Sequence, residues 1–144
     1  MNSHDTAQWK LKGLEWLLDD FASLIGNNAR AALASQDGLV ASFTKSLSED
    51  EAEHLAAAAS SLLSLSKATV KAAGAAIEDE AVRQVIIEHK NCMIFVMGAG
   101  EGSVLTVATD PGADVGRVGY EMTQLVKKVG EHLATPNRTA PEGR

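Results

Sequence analysis

Residues 55–66 read LAAAASSLLSLS and contain no charged side chain. They lie inside a predicted helix, residues 49–73, that begins at a capping box in which Ser48 precedes Glu51 by three positions. At 100° per residue, alanine, leucine and serine occupy most of the circumference of this helix. The polar strip that remains is narrow and consists of Glu53, Ser60, Ser64, Lys67 and Lys71. The sequence therefore predicts a helix with one face on its own core and a second apolar flank.

Two arrangements could cover that second flank, which includes Ser61, Leu65, Ala68 and Ala72. The helix is either enclosed within a larger fold or placed against another protein. A chain of 144 residues has the size of one domain and is too small to enclose a helix on all sides. Large exposed apolar patches usually mark interaction sites, so we expect a protein partner on this flank.

Composition excludes several classes of protein. The chain has 13 basic and 19 acidic residues and a net charge of −6, which argues against a nucleic-acid partner. Cys92 is the single cysteine, so no intramolecular disulfide is expected. The N-terminus lacks an apolar signal core, and no apolar run approaches the roughly 18 residues that cross a bilayer. We expect a cytoplasmic protein that is not integral to the membrane.

Hydrophobic spacing and turn residues predict an α+β domain over residues 8–134, with a flexible N-terminus (1–7) and a disordered tail (135–144). The order of elements is helix-β-β-helix-β-β-β-helix, which predicts a five-stranded antiparallel sheet covered by helices. The predicted helices span residues 8–25, 49–73 and 115–133, and the strands span residues 29–35, 39–43, 82–88, 92–97 and 103–109.

The strand predicted at residues 82–88 differs from the others because it alternates. Arg83, Val85 and Ile87 fall on one face, and Gln84 and Glu88 on the other. This half-polar pattern is typical of an edge strand, which is either blunted or paired with another chain. Together with the apolar helix flank, it predicts a two-fold dimer.

Trp9 and Trp16 lie seven positions apart on the more polar side of the first predicted helix. They either fold over the rim of the core or offer a contact to another chain. Rim packing is the favoured interpretation, because tryptophan is often only partly buried in monomers.

No pattern of catalytic residues or metal ligands emerges from the sequence. The four histidines, at positions 4, 54, 89 and 132, share no metal-ligand spacing. The acidic run at residues 78–80 favours a solvated turn over a cation site. The glycine-rich stretch at residues 98–103 precedes a strand and not a helix, so it predicts a hairpin and not a phosphate-binding loop. We expect a protein that is not an enzyme and that holds no cofactor or metal.

Four segments in this order resemble the roadblock / dynein light chain family. They are LEWLLDDF (14–21), ASQDGLVAS (34–42), AVRQVIIE (81–88) and VGYEMTQLVKKVGEHL (118–133). The bacterial branch that regulates small Ras-like GTPases is the most similar, in particular the actinobacterial conservon-type proteins encoded beside a sensor-kinase-like protein. The resemblance covers residues 8–133.

The resemblance implies a three-layer α/β/α arrangement and a homodimer in which strand 82–88 pairs with its copy and the two long helices lie side by side. It also implies that a small Ras-like GTPase binds this helical layer, that a sensor-kinase-like protein is a further partner, and that partners recruit the protein to the inner face of the membrane. An adaptor that bridges a signalling complex without changing nucleotide turnover would use the same surfaces. The expected interface residues are Ala57, Ser61, Leu65, Ala68, Ala72, Arg83, Val85 and Ile87.

Overall fold

The computed structural model describes residues 11–74, 82–100 and 102–134, without the side chains of the last two positions. Within these residues the chain forms three helices and five strands in the predicted order. They are α1 (Glu15–Ile25), β1 (Arg30–Ser35), β2 (Val40–Phe43), α2 (Glu49–Ala72), β3 (Val85–His89), β4 (Cys92–Gly98), β5 (Ser103–Thr109) and α3 (Val115–Ala134). The predictions for Trp9, the acidic run and both termini lie outside the described residues.

The five strands form one antiparallel sheet in the order β2-β1-β5-β4-β3. β5 lies at its centre, between β1 and β4, and is buried over its whole length. β3 pairs with β4 from Val85 opposite Val96 to His89 opposite Cys92, and it forms one end of the sheet. The predicted edge position of this strand is therefore confirmed.

Helices cover both faces of the sheet, which gives the three-layer arrangement. α1 and α3 pack on one face, around a core that includes Leu33, Phe95 and Leu105. α2 packs on the other face, where Ala59 and Leu63 contact a smaller cluster of buried residues. Alternate side chains along each strand point to opposite faces, so the strands supply both cores.

The first half of α2 is fixed by its cap and by the β1–β2 turn. The predicted capping box is present: the Glu51 amide donates to Ser48 Oγ over 3.1 Å, and the Ser48 amide donates to Glu51 Oε1 over 2.9 Å. In the turn, Gly38 has φ +90°, and a Cβ at this position would lie 3.3 Å from the Cα of Ala57. A side chain at Gly38 would thus require α2 to shift by a few tenths of an ångström.

Ser60 corrects the predicted polar strip of α2. Its side chain is buried and its hydroxyl donates to the carbonyl oxygen of Gln36 in the β1–β2 turn. A buried hydroxyl needs such a partner, because leaving it unpaired would be costly. The strip was predicted from helical spacing alone. Helical spacing does not show that the β1–β2 turn places a carbonyl acceptor beside Ser60.

The first predicted helix, residues 8–25, is interrupted. A turn at Lys12 and Gly13, where Gly13 has φ +81°, separates Leu11 from α1. Leu11 and Leu14 are both buried on the same core, so their spacing continues the helical pattern across the turn. Ser42 joins the two sides of the break, because its hydroxyl donates to the Leu11 carbonyl and accepts from the Leu14 amide.

The strand predicted at residues 82–88 is also corrected, since β3 begins at Val85 and ends at His89. Before it, the carboxamide of Gln84 lies over α3, where its Oε1 would be 3.1 Å from a Cβ at Gly119. The chain thus contacts α3 at Gln84 and joins the β4 ladder only afterwards.

Candidate interaction surface

The predicted helical flank is exposed in the folded protein. Ala57, Ser61, Leu65, Ala68 and Ala72 are all exposed, and we call these five residues the outward face of α2. The buried residues of this helix, among them Ala56 and Leu63, belong to the opposite side. None of the five side chains is charged, and Leu65 leaves 65% of its surface in solvent. The sequence-based placement of these residues on a free helix face therefore agrees with their exposure.

The C-terminal part of α2 is more exposed than the part that packs on the sheet. α2 contacts all five strands. It is held at Ser60 by the β1–β2 turn, and Leu62 and Leu63 pack against the cluster that contains Val85 of the edge strand. Residues 67–72 are then all exposed, and we call them the exposed end of α2.

The predicted β3 residues lie on the same side of the sheet as α2. Val85 and Ile87 are opposite Val96 and Ile94, whose side chains point to the α2 layer. Val85 is half-buried there, and Ile87 is exposed. Arg83 is exposed but precedes the strand, so its predicted place within β3 is wrong.

Ile86 was not among the predicted interface residues. It points to the α3 side of β3 and leaves 41% of its surface exposed. Ile86 lies between Gln84 and Glu88 on the face that was predicted to be polar. The prediction from alternating residues therefore did not include it. The run of three β-branched residues at Val85–Ile87 was the signal that could have identified it.

The opposite side of the molecule carries a cleft between α1 and α3, with a volume of about 500 Å³. Trp16 lines it with 53% of its surface exposed, and its ring meets that of His132 edge-on at a centroid distance of 5.6 Å. Asp20 and Lys128 also line the cleft. Trp16 thus contacts α3 at His132 and presents about half of its surface to solvent.

The exposed surfaces of α1 and α3 differ from the outward face of α2 because they are charged. Their exposed charged side chains include Glu15, Asp20, Arg117, Lys127, Lys128 and Glu131. An uncharged exposed stripe favours burial against another protein, whereas a mixed charged surface is typical of a solvated face.

The described residues contain no group of three histidine, cysteine, aspartate or glutamate side chains that could hold a metal ion. In the same part of the chain, no helix combines the length and the apolar character that a bilayer-spanning segment needs.

Comparison with known proteins identifies the family. Residues 14–109 match the Roadblock/LC7 domain. The chain belongs to the Roadblock/LC7 family. A solved Roadblock/LC7 domain from Streptomyces avermitilis is 39% identical to it, with a TM-score of 0.76 over 85% of this chain and 98% of that chain. The resemblance seen in the sequence and the roadblock fold are both confirmed.

Solved structures of lower sequence identity share the fold. MglB from Myxococcus xanthus is 15% identical, with a TM-score of 0.70 over 89% of this chain and 90% of that chain. MglB in a tetrameric arrangement is 17% identical, with a TM-score of 0.69 over 92% of this chain and 90% of that chain. No curated protein matches the chain.

Proposed function

We propose that this Roadblock/LC7 protein is a non-catalytic homodimer that regulates a small Ras-like GTPase by binding it through the outward faces of two paired α2 helices. The observation that carries the proposal is the exposed, uncharged outward face of α2, with Leu65 at its centre. The similarity of the chain to the bacterial branch of the family supports the choice of partner.

The shape of the surface suits a GTPase that changes conformation with its nucleotide. Small GTPases order their switch segments around the γ-phosphate and release them on hydrolysis. A rigid helix packed on a five-stranded sheet offers a preformed surface to the ordered state. Binding that favours one nucleotide state shifts the equilibrium between the states, and this is how a protein without catalytic groups regulates a switch.

Changes in hydrolysis rate require either a reordering of the GTPase's own residues or an arginine supplied by the partner. Arg117 is unsuitable for the second route, because its Nη2 donates to the carbonyl of Leu24 over 2.6 Å on the side of the sheet opposite α2. Arg83 is exposed and belongs to the expected interface, so it is the arginine to test for the second route. We propose the first route, in which the protein orders residues of the GTPase itself.

An adaptor role is the alternative, and the cleft beside Trp16 is the observation that favours it. A protein with one apolar helix face and a separate cleft on the opposite side has room for two partners. A sensor-kinase-like protein is the second partner implied by the resemblance, and it would bring the complex from the cytoplasm to the inner face of the membrane.

Binding and turnover measured together test the proposal. The probe is the small Ras-like GTPase encoded nearest to this gene, loaded with GDP or with a non-hydrolysable GTP analogue. The regulator predicts tighter binding to one nucleotide state and a changed rate of single-turnover GTP hydrolysis. Binding without any change in rate would replace the regulator by the adaptor, and absence of binding in both states would refute the GTPase as partner.

A further inference from the structure

The cleft between α1 and α3 is a groove whose two ends are fixed by contacts between the helices. At one end the ring of Trp16 meets that of His132, close to the C-terminus of α3. At the other end Arg117, close to the start of α3, donates through Nη2 to the carbonyl oxygen of Leu24. The two helices therefore run antiparallel, and the groove follows α1 from Trp16 to Leu24. At 1.5 Å per residue this distance is about 12 Å, roughly two helical turns.

The groove presents apolar surface at its floor and at both ends. Leu17, Phe21 and Leu125 line it and are buried in the core beneath. Trp16 and Leu24 also line it, and they leave 53% and 51% of their surfaces in solvent. Half-exposed tryptophan and leucine side chains beside a buried apolar floor can hold the anchoring side chains of a partner. The groove therefore offers two apolar contact points about two helical turns apart.

The charged side chains of the groove are mostly acidic. Those that line it are Asp20, Glu121, Lys128 and Glu131. Asp20 lies midway between Trp16 and Leu24, four positions from each. An acidic rim favours a partner that carries basic residues beside its apolar anchors, and it disfavours an acidic partner. The groove thus selects by charge, unlike the uncharged outward face of α2.

An α-helix suits this groove better than an extended strand. The backbones of α1 and α3 satisfy their own hydrogen bonds within each helix, so the groove offers no ladder that a strand could join. A partner helix places apolar residues at i, i+4 and i+7 on one face, which spans about two turns and matches the distance from Trp16 to Leu24. Packing of a third helix between two neighbouring helices also follows the ordinary rules of helix packing.

The residues that follow α3 do not supply such a helix face. Residues 135–144 read TPNRTAPEGR and contain no leucine, isoleucine, valine, methionine or aromatic residue. They begin directly after the end of α3 at Ala134, close to the groove, but they lack side chains that could anchor on its floor. The occupant is therefore sought in another protein.

We propose that the groove between α1 and α3 binds an amphipathic helix of a partner protein that carries basic residues beside its apolar anchors. The anchors contact Trp16 and Leu24 above the buried floor, and the basic residues face Asp20 and Glu121. The groove and α2 lie on opposite sides of the sheet, so both surfaces are accessible at once. The inference does not depend on which protein binds α2.

A fluorescence titration of the full chain with two synthetic peptides tests the proposal. The Trp9→Phe variant leaves Trp16 as the single tryptophan. One probe is a helical peptide of about 16 residues with leucines at i, i+4 and i+7 and lysines on both flanks, and the other has glutamate in place of every lysine. We expect the lysine peptide to move the Trp16 emission to shorter wavelength and to bind at least about tenfold more tightly than the glutamate peptide.

Three variants in the same background separate charge selection in the groove from general attraction to an acidic protein. Asp20→Lys/Glu121→Lys should reverse the preference between the peptides, a result that loss of folding cannot produce. Asp50→Lys/Glu53→Lys changes the net charge equally at exposed positions of α2 and should keep the preference. Leu24→Arg removes one apolar contact point and should weaken binding of the lysine peptide about tenfold.

Three results would overturn the proposal. Equal affinity for the two peptides, or an equal change in both double variants, would show that the groove does not select by charge. An unchanged Trp16 emission with both peptides would show that they do not bind beside it. Binding of the lysine peptide that becomes about tenfold tighter when residues 1–10 are removed would make that segment the occupant. None of these results bears on α2, so the proposed GTPase surface stands or fails separately.

Discussion

Replacement of Leu65 by arginine is the most informative perturbation of the outward face of α2. Leu65 leaves 65% of its surface in solvent in the protomer, so its substitution removes few contacts that stabilise the fold. Full burial of a leucine side chain stabilises by about 1.5–3 kcal/mol, and the exposed fraction corresponds to roughly 1–2 kcal/mol on binding. That loss raises Kd by about five- to thirty-fold, and the desolvation of arginine adds to it.

Isothermal titration of the GTP-analogue-loaded GTPase into each variant measures this change in Kd. Leu24→Arg is the matched control, because Leu24 is also a helical leucine with 51% of its surface exposed, but it lies on α1 across the sheet. We expect Leu24→Arg to bind as wild type, and both variants to keep the wild-type circular dichroism spectrum and Tm within a few degrees. A folded Leu65→Arg with unchanged Kd, or an equal loss in Leu24→Arg, would refute the assignment of the surface.

Three substitutions test how the fold positions α2, each by urea denaturation. Gly38→Ala is expected to lower the free energy of unfolding by about 1–3 kcal/mol, because the residue has φ +90° and its new Cβ meets the helix backbone at 3.3 Å. Gly112→Ala has a similar φ of +88° and open space, so a loss as large as that of Gly38→Ala would show that contact with α2 is unimportant. Ser60→Ala leaves the Gln36 carbonyl without its donor and should lower stability by about 1 kcal/mol, whereas an unchanged midpoint would argue against that hydrogen bond. Ser48→Ala removes the capping box and should also destabilise by about 1 kcal/mol, and a stability equal to that of wild type would mean that α2 does not depend on its cap.

The sequence was sufficient where local patterns and the final fold agree. β5 was predicted at its observed bounds, because it is flanked by glycine turns and consists of β-branched and apolar residues. The start of α2 at Glu49 follows from a capping box that is local to residues 48–51. The edge position of β3 follows from the polar residues beside its β-branched run.

The sequence did not predict features that depend on a contact with a second helix, strand or turn. Helical spacing assigned Ser60 to solvent, whereas the carbonyl of Gln36, 24 positions earlier, accepts its hydroxyl. The turn at Gly13 is hidden because Leu11 and Leu14 keep the spacing of a continuous helix. Just before β3, Gln84 meets Gly119 of α3, a contact that no local pattern contains.

The alternating pattern identified only part of the edge strand. It placed Ile87 correctly on the α2 side, but it passed over Ile86 on the other face. The length of the β3–β4 turn determines which residues of β3 point their backbone amides and carbonyls away from β4. One additional residue in that turn would change the pairing. The exposed edge is therefore defined by a feature of the hairpin and not by the composition of the strand.

Hydrogen–deuterium exchange with and without the GTP-analogue-loaded GTPase measures where the GTPase binds. If it binds the outward face of α2, as proposed, exchange slows in peptides that cover residues 57–72, with no change in peptides that cover α1 (Glu15–Ile25). Slower exchange confined to α1 and α3, beside the Trp16 cleft, would place the GTPase on the opposite side of the sheet and refute the proposed surface.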